Sequence, residues 1–175
     1  AGVAERWGVR ADLRGRLLTR AVPRPRRRGA HHADYYRDIV LAFGIEPARE
    51  SPRVTPPPAA FETARVLLER ESVPAGAPLV GMAPGAAYGK AKQWPPRRFA
   101  ELAAELHDRF GAVSVLVGSG GDREAGEEIR RCLDGAAARA ILVNLIGKTD
   151  LVVLAGVIAR MRAFVSNDSG AMHLA

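Results

Sequence analysis

The sequence predicts an α/β protein built on a parallel, Rossmann-like sheet. Short apolar runs rich in Val and Leu alternate with longer amphipathic stretches through residues 61–175, and each run ends in small or polar residues. Buried strands joined by crossover helices produce this alternation, because a parallel sheet is covered on both faces.

The elements follow in chain order. Ahead of the regular region, "ADYYRDIVLAFGI" (33–45) places Tyr36, Ile39, Val40 and Phe43 at helical spacing, with Gly44 as a stop signal. Little else there is regular, and residues 1–50 are too few in apolar pattern to make a core of their own. "SPRVTPPPAA" (51–60) reads as an interdomain linker, since consecutive prolines favour extended geometry and cannot sit inside a helix or central strand. Beyond it, "AAFETARVLLERE" reads as a helix, "APLVGMAPG" as a strand and turn, and "PRRFAELAAELHDRF" as a helix opened by proline. "AVSVLVGSG" is a second strand and turn, "DREAGEEIRRCL" a helix, and "AILVNLIG" a short strand. "DLVVLAGVIARM" is a helix, "AFVSND" a strand, and "SGAMHLA" the start of another helix.

Composition excludes several classes. The chain has 175 residues, 47% of them apolar, which suits a folded α/β protein rather than a disordered one. The apolar run at 151–159 is far short of the roughly 20 residues that cross a bilayer, so a cytoplasmic location is expected. Cys132 is the only cysteine, which rules out a disulfide framework and a cysteine metal site. His31, His32, His107 and His173 show no ligand spacing, so no metal and no cofactor are expected. Ser114, Ser119, Ser166 and Ser169 lack the Gly-x-Ser-x-Gly elbow of a hydrolase.

The net charge of +7 is concentrated in "RAVPRPRRRG", which holds Arg24, Arg26 and Arg27. Two readings fit: an electropositive surface for phosphate- or carboxylate-bearing partners, or a solvated loop. Nucleic acid is not expected, because no aromatic residues interleave with the arginines as stacking platforms.

A sheet of this kind binds its ligand at the carboxyl ends of its strands. At "SNDSGAMH" a strand passes into a helix, so the backbone N–H groups of Ser169, Gly170 and Ala171 are candidates for an anion site. The alternative is that Asp168 or Ser169 simply caps the helix. Lys90 and Lys92 stand before the helix that opens at Pro96, where an ammonium can meet a phosphate oxygen or remain a surface charge. Pro84, Gly85 and Gly120 lie in the two earlier strand-end loops. Glu124 falls in the first turn of a helix, placed to accept from a ribose diol or to favour the helix dipole. His173, one turn into the last helix, reads as a packed histidine or an additional site residue. "GSGGDREAGEE" has neither dinucleotide nor Walker spacing.

Together, "PGAAYGKAKQWPPRRFAELA", "VGSGGDREAGEEI", "NLIGKTDLVVLAGVIA" and "FVSNDSGAMHLA" resemble the ADP-heptose:lipopolysaccharide heptosyltransferases of glycosyltransferase family 9, most closely their heptosyltransferase II branch. "GVRADLRGRLLTRAVPRP" and "HHADYYRDIVLAFGI" extend the resemblance over nearly the whole chain. It implies a GT-B architecture of two Rossmann-like domains. Residues 1–50 would then be the tail of the acceptor-side domain, 51–60 the linker and 61–175 most of the nucleotide-sugar domain.

The same resemblance implies the site. Lys92 would meet the donor diphosphate, Glu124 the ribose, and Asp168, Ser169, Gly170 and Ala171 the diphosphate and sugar. Pro84, Gly85, Lys90, Gly120 and His173 are additional candidates, and Arg24, Arg26 and Arg27 would attract the acidic acceptor. The implied activity is inverting, metal-independent heptose transfer from ADP-heptose to the inner core of lipopolysaccharide, at the cytoplasmic face of the inner membrane. The family's first strand, glycine-rich turn and aspartate base match nothing in these residues, so the chain is expected to be an internal piece, inactive alone. A nucleotide-binding module without transfer activity, or a GT-B transferase using another nucleotide sugar, are the other readings.

Overall fold

The computed structural model describes residues 2–11, 13–25, 32–48, 53–86, 93–133 and 138–175, apart from the Arg139 side chain. The chain divides into two compact units, Ala1–Arg53 and Val54–Ala175.

The first unit is more regular than its sequence suggests. Strands β1 (Trp7–Val9) and β2 (Arg20–Val22) pair in parallel, with Gly8 opposite Ala21, and helix α1 spans His32–Ala42. Long-range contacts hold the pair together. The Arg20 guanidinium lies 4.5 Å from the Trp7 ring centre and donates from Nη2 to the Phe43 carbonyl at 2.8 Å. Trp7 and Phe43 themselves stack at 5.2 Å. Among its described residues, Val22 is the only buried apolar side chain.

The second unit begins with helix α2 (Pro58–Arg70), which takes up the last three residues of the proline-rich stretch. Proline is compatible with that start, because a first-turn residue needs no N–H partner. Strand β3 (Leu79–Ala83), helix α3 (Pro96–Phe110), strand β4 (Val113–Leu116) and helix α4 (Arg123–Cys132) follow. A one-turn helix α5 (Ala138–Ile141) then leads into strand β5 (Leu142–Asn144). Helix α6 (Leu151–Ile158), strand β6 (Ala163–Ser166) and the short helix α7 (Gly170–Leu174) complete the unit.

All four strands are parallel, in the order β5-β4-β3-β6. Side chains alternate across the sheet, so consecutive residues of β4 feed opposite cores. Leu116 joins Met82, Phe99, Ala103 and Ile129 beneath α3 and α4. Val113, Val115 and Val117 join Ala64, Leu68, Leu79 and Val157 beneath α2 and α6. Helix α6 approaches α2 so closely that a Cβ on Gly156 would stand 2.4 Å from the Ala60 carbonyl oxygen.

Local chemistry sets the helix ends. Asp150 caps α6 by accepting from the Val153 N–H at 2.8 Å, and Gly111, at φ 61, ends α3 in the left-handed conformation that glycine adopts at no steric cost. Arg97 and Arg98 sit in the first turn of α3, the end of the helix dipole that disfavours cations. Both pair with Glu101 at 2.8 Å, and the hydrogen bond from Arg98 holds that carboxyl below its ordinary range. Among the described residues no helix is long and apolar enough to cross a membrane.

Candidate functional site

The strand order creates the site. From β3 the chain runs outward through β4 to β5, then crosses back to place β6 on the other side of β3. The carboxyl ends of β3 and β6 therefore flank a switch point, where loops diverge and leave a crevice. A hollow of about 390 Å³ opens there, lined by Gly85 and Ala86 after β3, Gly118, Ser119 and Asp122 after β4, and Ser169, Gly170 and Ala171 after β6. Leu151 and Leu154 of α6 form its apolar side. That volume suits a small molecule. A larger hollow of 450 Å³ lies beside Leu79 and Arg160, where β3 begins, and holds none of the strand-end residues.

Of the sequence-predicted residues, Gly85, Ser169, Gly170 and Ala171 line the one crevice. Pro84 is buried beside them. Asp168 is exposed, between the buried Asn167 and Ser169. Glu124 is exposed in the first turn of α4, Gly120 in the 3-10 turn before it, and His173 on α7; none of these three lines the crevice. Lys90, Lys92, Arg26 and Arg27 lie outside the described residues, and Arg24 is exposed.

The loop after β5 does not join the other three. Gly147 is held at φ 72, with its N–H on the Gly118 carbonyl at 3.0 Å. Lys148 turns away to pair with Glu71 at 2.5 Å.

The capping reading for Ser169 also fails. Its side chain caps no backbone amide; its hydroxyl meets the Ser166 hydroxyl at 2.9 Å, and Ser166 in turn donates to the Asn167 carbonyl at 2.5 Å. The Ser169 oxygen is thereby fixed at the lip of the crevice.

Two residues that organise the site are given no role by the sequence. Asp122 accepts from both the N–H and the hydroxyl of Ser119 at 2.8 Å, closing the turn after β4. Its signal was present in the Ser-x-x-Asp spacing of a capping box. Asn167, only 8% exposed, donates from Nδ2 to the Pro84 carbonyl at 2.6 Å and accepts at Oδ1 from the Trp94 N–H at 2.9 Å. Its partners are 83 and 73 residues away in the chain, a separation that no local pattern reports.

The model for glycosyltransferase family 9 (heptosyltransferase) matches residues 6–175. The chain belongs to that family. Among curated members, it is 41% identical over 131 residues to lipooligosaccharide heptosyltransferase 2 of Haemophilus influenzae, covering 75% of this chain and 34% of that protein. It is 46% identical over 98 residues to lipopolysaccharide heptosyltransferase 2 of Escherichia coli K12, covering 56% and 28%. The solved structure of E. coli ADP-heptose lps heptosyltransferase II matches with a TM-score of 0.74 and 31% identity, over 99% of this chain and 53% of that one. The chain thus spans about a third of these curated family members and half of that structure, whose GT-B type of α/β fold it shares.

Proposed function

We propose that the whole protein is an inverting, metal-independent glycosyltransferase that moves heptose from ADP-heptose to the inner core of lipopolysaccharide. The observation behind this reading is the switch-point crevice, lined by Gly85, Ser169, Gly170 and Ala171, in a chain whose relatives are heptosyltransferases. Glycine lets a diphosphate approach the backbone at Gly85 and Gly170. In this reading Asp168 holds the sugar, Glu124 the ribose diol, and residues 61–175 belong to the nucleotide-sugar domain.

Lys92 has the central electrostatic role. As the glycosidic bond breaks, negative charge builds on the departing diphosphate, and an ammonium placed there is worth more in the transition state than in the ground state. A cation supplied by the chain replaces the usual need for a metal. The general base that activates the acceptor hydroxyl is not assigned to any residue here.

The test is calorimetric titration of ADP, ADP-heptose and UDP into the protein at its full natural length. ADP is expected to bind in preference to UDP. Lys92→Ala and Asp168→Ala are each expected to weaken ADP-heptose binding about tenfold, in the range of one lost charge-assisted hydrogen bond. Equal binding of ADP and UDP would indicate another nucleotide sugar. Binding without heptose transfer would indicate a nucleotide-binding module.

Arg24, Arg26 and Arg27 are assigned to attraction of the acidic acceptor at the cytoplasmic face of the inner membrane. Reversing their charge is expected to raise the acceptor KM several-fold, in the manner of a long-range steering field, and to leave donor affinity unchanged. An unchanged acceptor KM removes the assignment.

A further inference from the structure

We infer that Asn167 is a positioning residue that locks the walls of the donor crevice together, an assignment that rests on the nucleotide reading of that crevice. Its amide is placed where β3 and β6, the two strands flanking the switch point, end side by side. The backbone there is already paired, since the Asn167 N–H donates to the Ala83 carbonyl at 3.1 Å. The side chain adds what the ladder does not reach. Nδ2 holds the Pro84 carbonyl one residue beyond the end of β3, and Oδ1 holds the Trp94 N–H two residues before α3 begins.

Both ends of the loop that leaves β3 and enters α3 are thus tied to the segment carrying Ser169 and Gly170. Trp94 lies two residues after Lys92 in the chain, and Gly85 directly follows Pro84. A carboxamide is suited to this task, because it offers a donor and an acceptor on one short, neutral, planar group. Valine or leucine would fill the volume and leave a carbonyl and an N–H without their partner. Aspartate would set an acceptor against the Pro84 carbonyl. Burial raises the stakes, since a polar group out of water loses more when its partner is removed.

The edge-to-face pairing of Trp94 with the buried Phe99, with ring centres 5.1 Å apart at 72°, ties the exposed Trp94 ring to the edge of the core. Asn167 therefore adjusts a backbone whose side chain is already held, which makes its effect local. Removing it should release the Trp94 amide and blur the crevice without melting the sheet.

The experiment combines amide hydrogen exchange with ADP titration on the protein at its full natural length, comparing the unaltered form with Asn167→Leu. If that variant does not fold, Asn167→Ser, smaller and polar, serves in its place. The expected result is faster exchange at the Trp94 amide, unchanged protection in β3 and β4, and ADP affinity lower by about tenfold, the scale of a lost buried hydrogen bond. Unchanged exchange at Trp94, or unchanged ADP affinity, overturns the assignment. A uniform loss of protection across the sheet also overturns it, because it would mark Asn167 as a general stabiliser. Failure of the unaltered protein to bind ADP would instead overturn the nucleotide reading, and the exchange data would show separately whether Asn167 holds Trp94.

Discussion

Phe99→Ala is expected to destabilise the larger unit by about 3–5 kcal/mol, the range for deleting a fully buried aromatic ring. Phe99 is fully buried, and its cluster spans the face of the sheet under α3 and α4, with Met82 from β3, Leu116 from β4 and Ile129 from α4. These neighbours come from several different elements, so no single movement closes the space the ring leaves. The cavity term therefore stays near its full size. The same ring is the edge-to-face partner of Trp94, whose backbone N–H is held by Asn167. Stability and site geometry are linked through this one contact. Urea denaturation should show a lower midpoint at unchanged slope, since the same surface is exposed on unfolding, and tryptophan emission of the folded state should shift as Trp94 loses its partner. A loss below about 1 kcal/mol, small for a large-to-small change in a packed core, would show that the neighbours collapse around the site.

The larger unit was legible in sequence because its local and global signals agree. Val113–Leu116 reads as a strand and is one, since a parallel strand covered on both faces shows as a mostly apolar run, here interrupted by the buried Ser114. Pro96–Phe110 reads as a helix with both its bounds, because proline opens it and Gly111 closes it. Where signals are short, the reading blurs. "AILVNLIG" divides into the end of α5 and β5, and an apolar run of that length has no period that separates the two states. The pair β1 and β2 escaped altogether. Each strand has three residues, and what holds them is Arg20 reaching across to Trp7 and Phe43. The site divides in the same way. Gly85, Ser169, Gly170 and Ala171, which line one crevice, could be placed at strand ends from sequence because strand-end glycines and a strand-to-helix junction are local patterns. Lys148, at a strand end with the same appearance, leaves for Glu71, which only the fold decides.

Gly85→Ala is expected to cost at least as much at the site as removal of the charge proposed for Lys92 or Asp168, although it adds one methyl group. Gly85 is buried and its backbone is not in the left-handed region, so the objection to a side chain is space rather than conformation. A Cβ there would stand 2.2 Å from Asp122 Oδ1 and 2.5 Å from its Cγ. Asp122 cannot yield cheaply. Its other oxygen accepts from both the N–H and the hydroxyl of Ser119, and a Cβ on Gly118 would meet that oxygen at 2.8 Å, so a glycine packs against each oxygen of one carboxylate. Moving the carboxylate forfeits hydrogen bonds to a charged acceptor, worth about 1.5–3 kcal/mol each, on top of an over-packing cost of about 1–3 kcal/mol. The turn after β4 would open into the same crevice that Ser169 and Gly170 line. A double-mutant cycle with Asp122→Ala separates the causes. If the clash is with the carboxylate, Gly85→Ala should cost much less in the Asp122→Ala background than in the unaltered protein, both in stability and in ADP affinity. Equal costs in the two backgrounds would mean that the added methyl group meets something other than Asp122. On the expected outcome, a glycine with no positive φ is required here because an acidic side chain, itself pinned by a serine, occupies the place of its side chain.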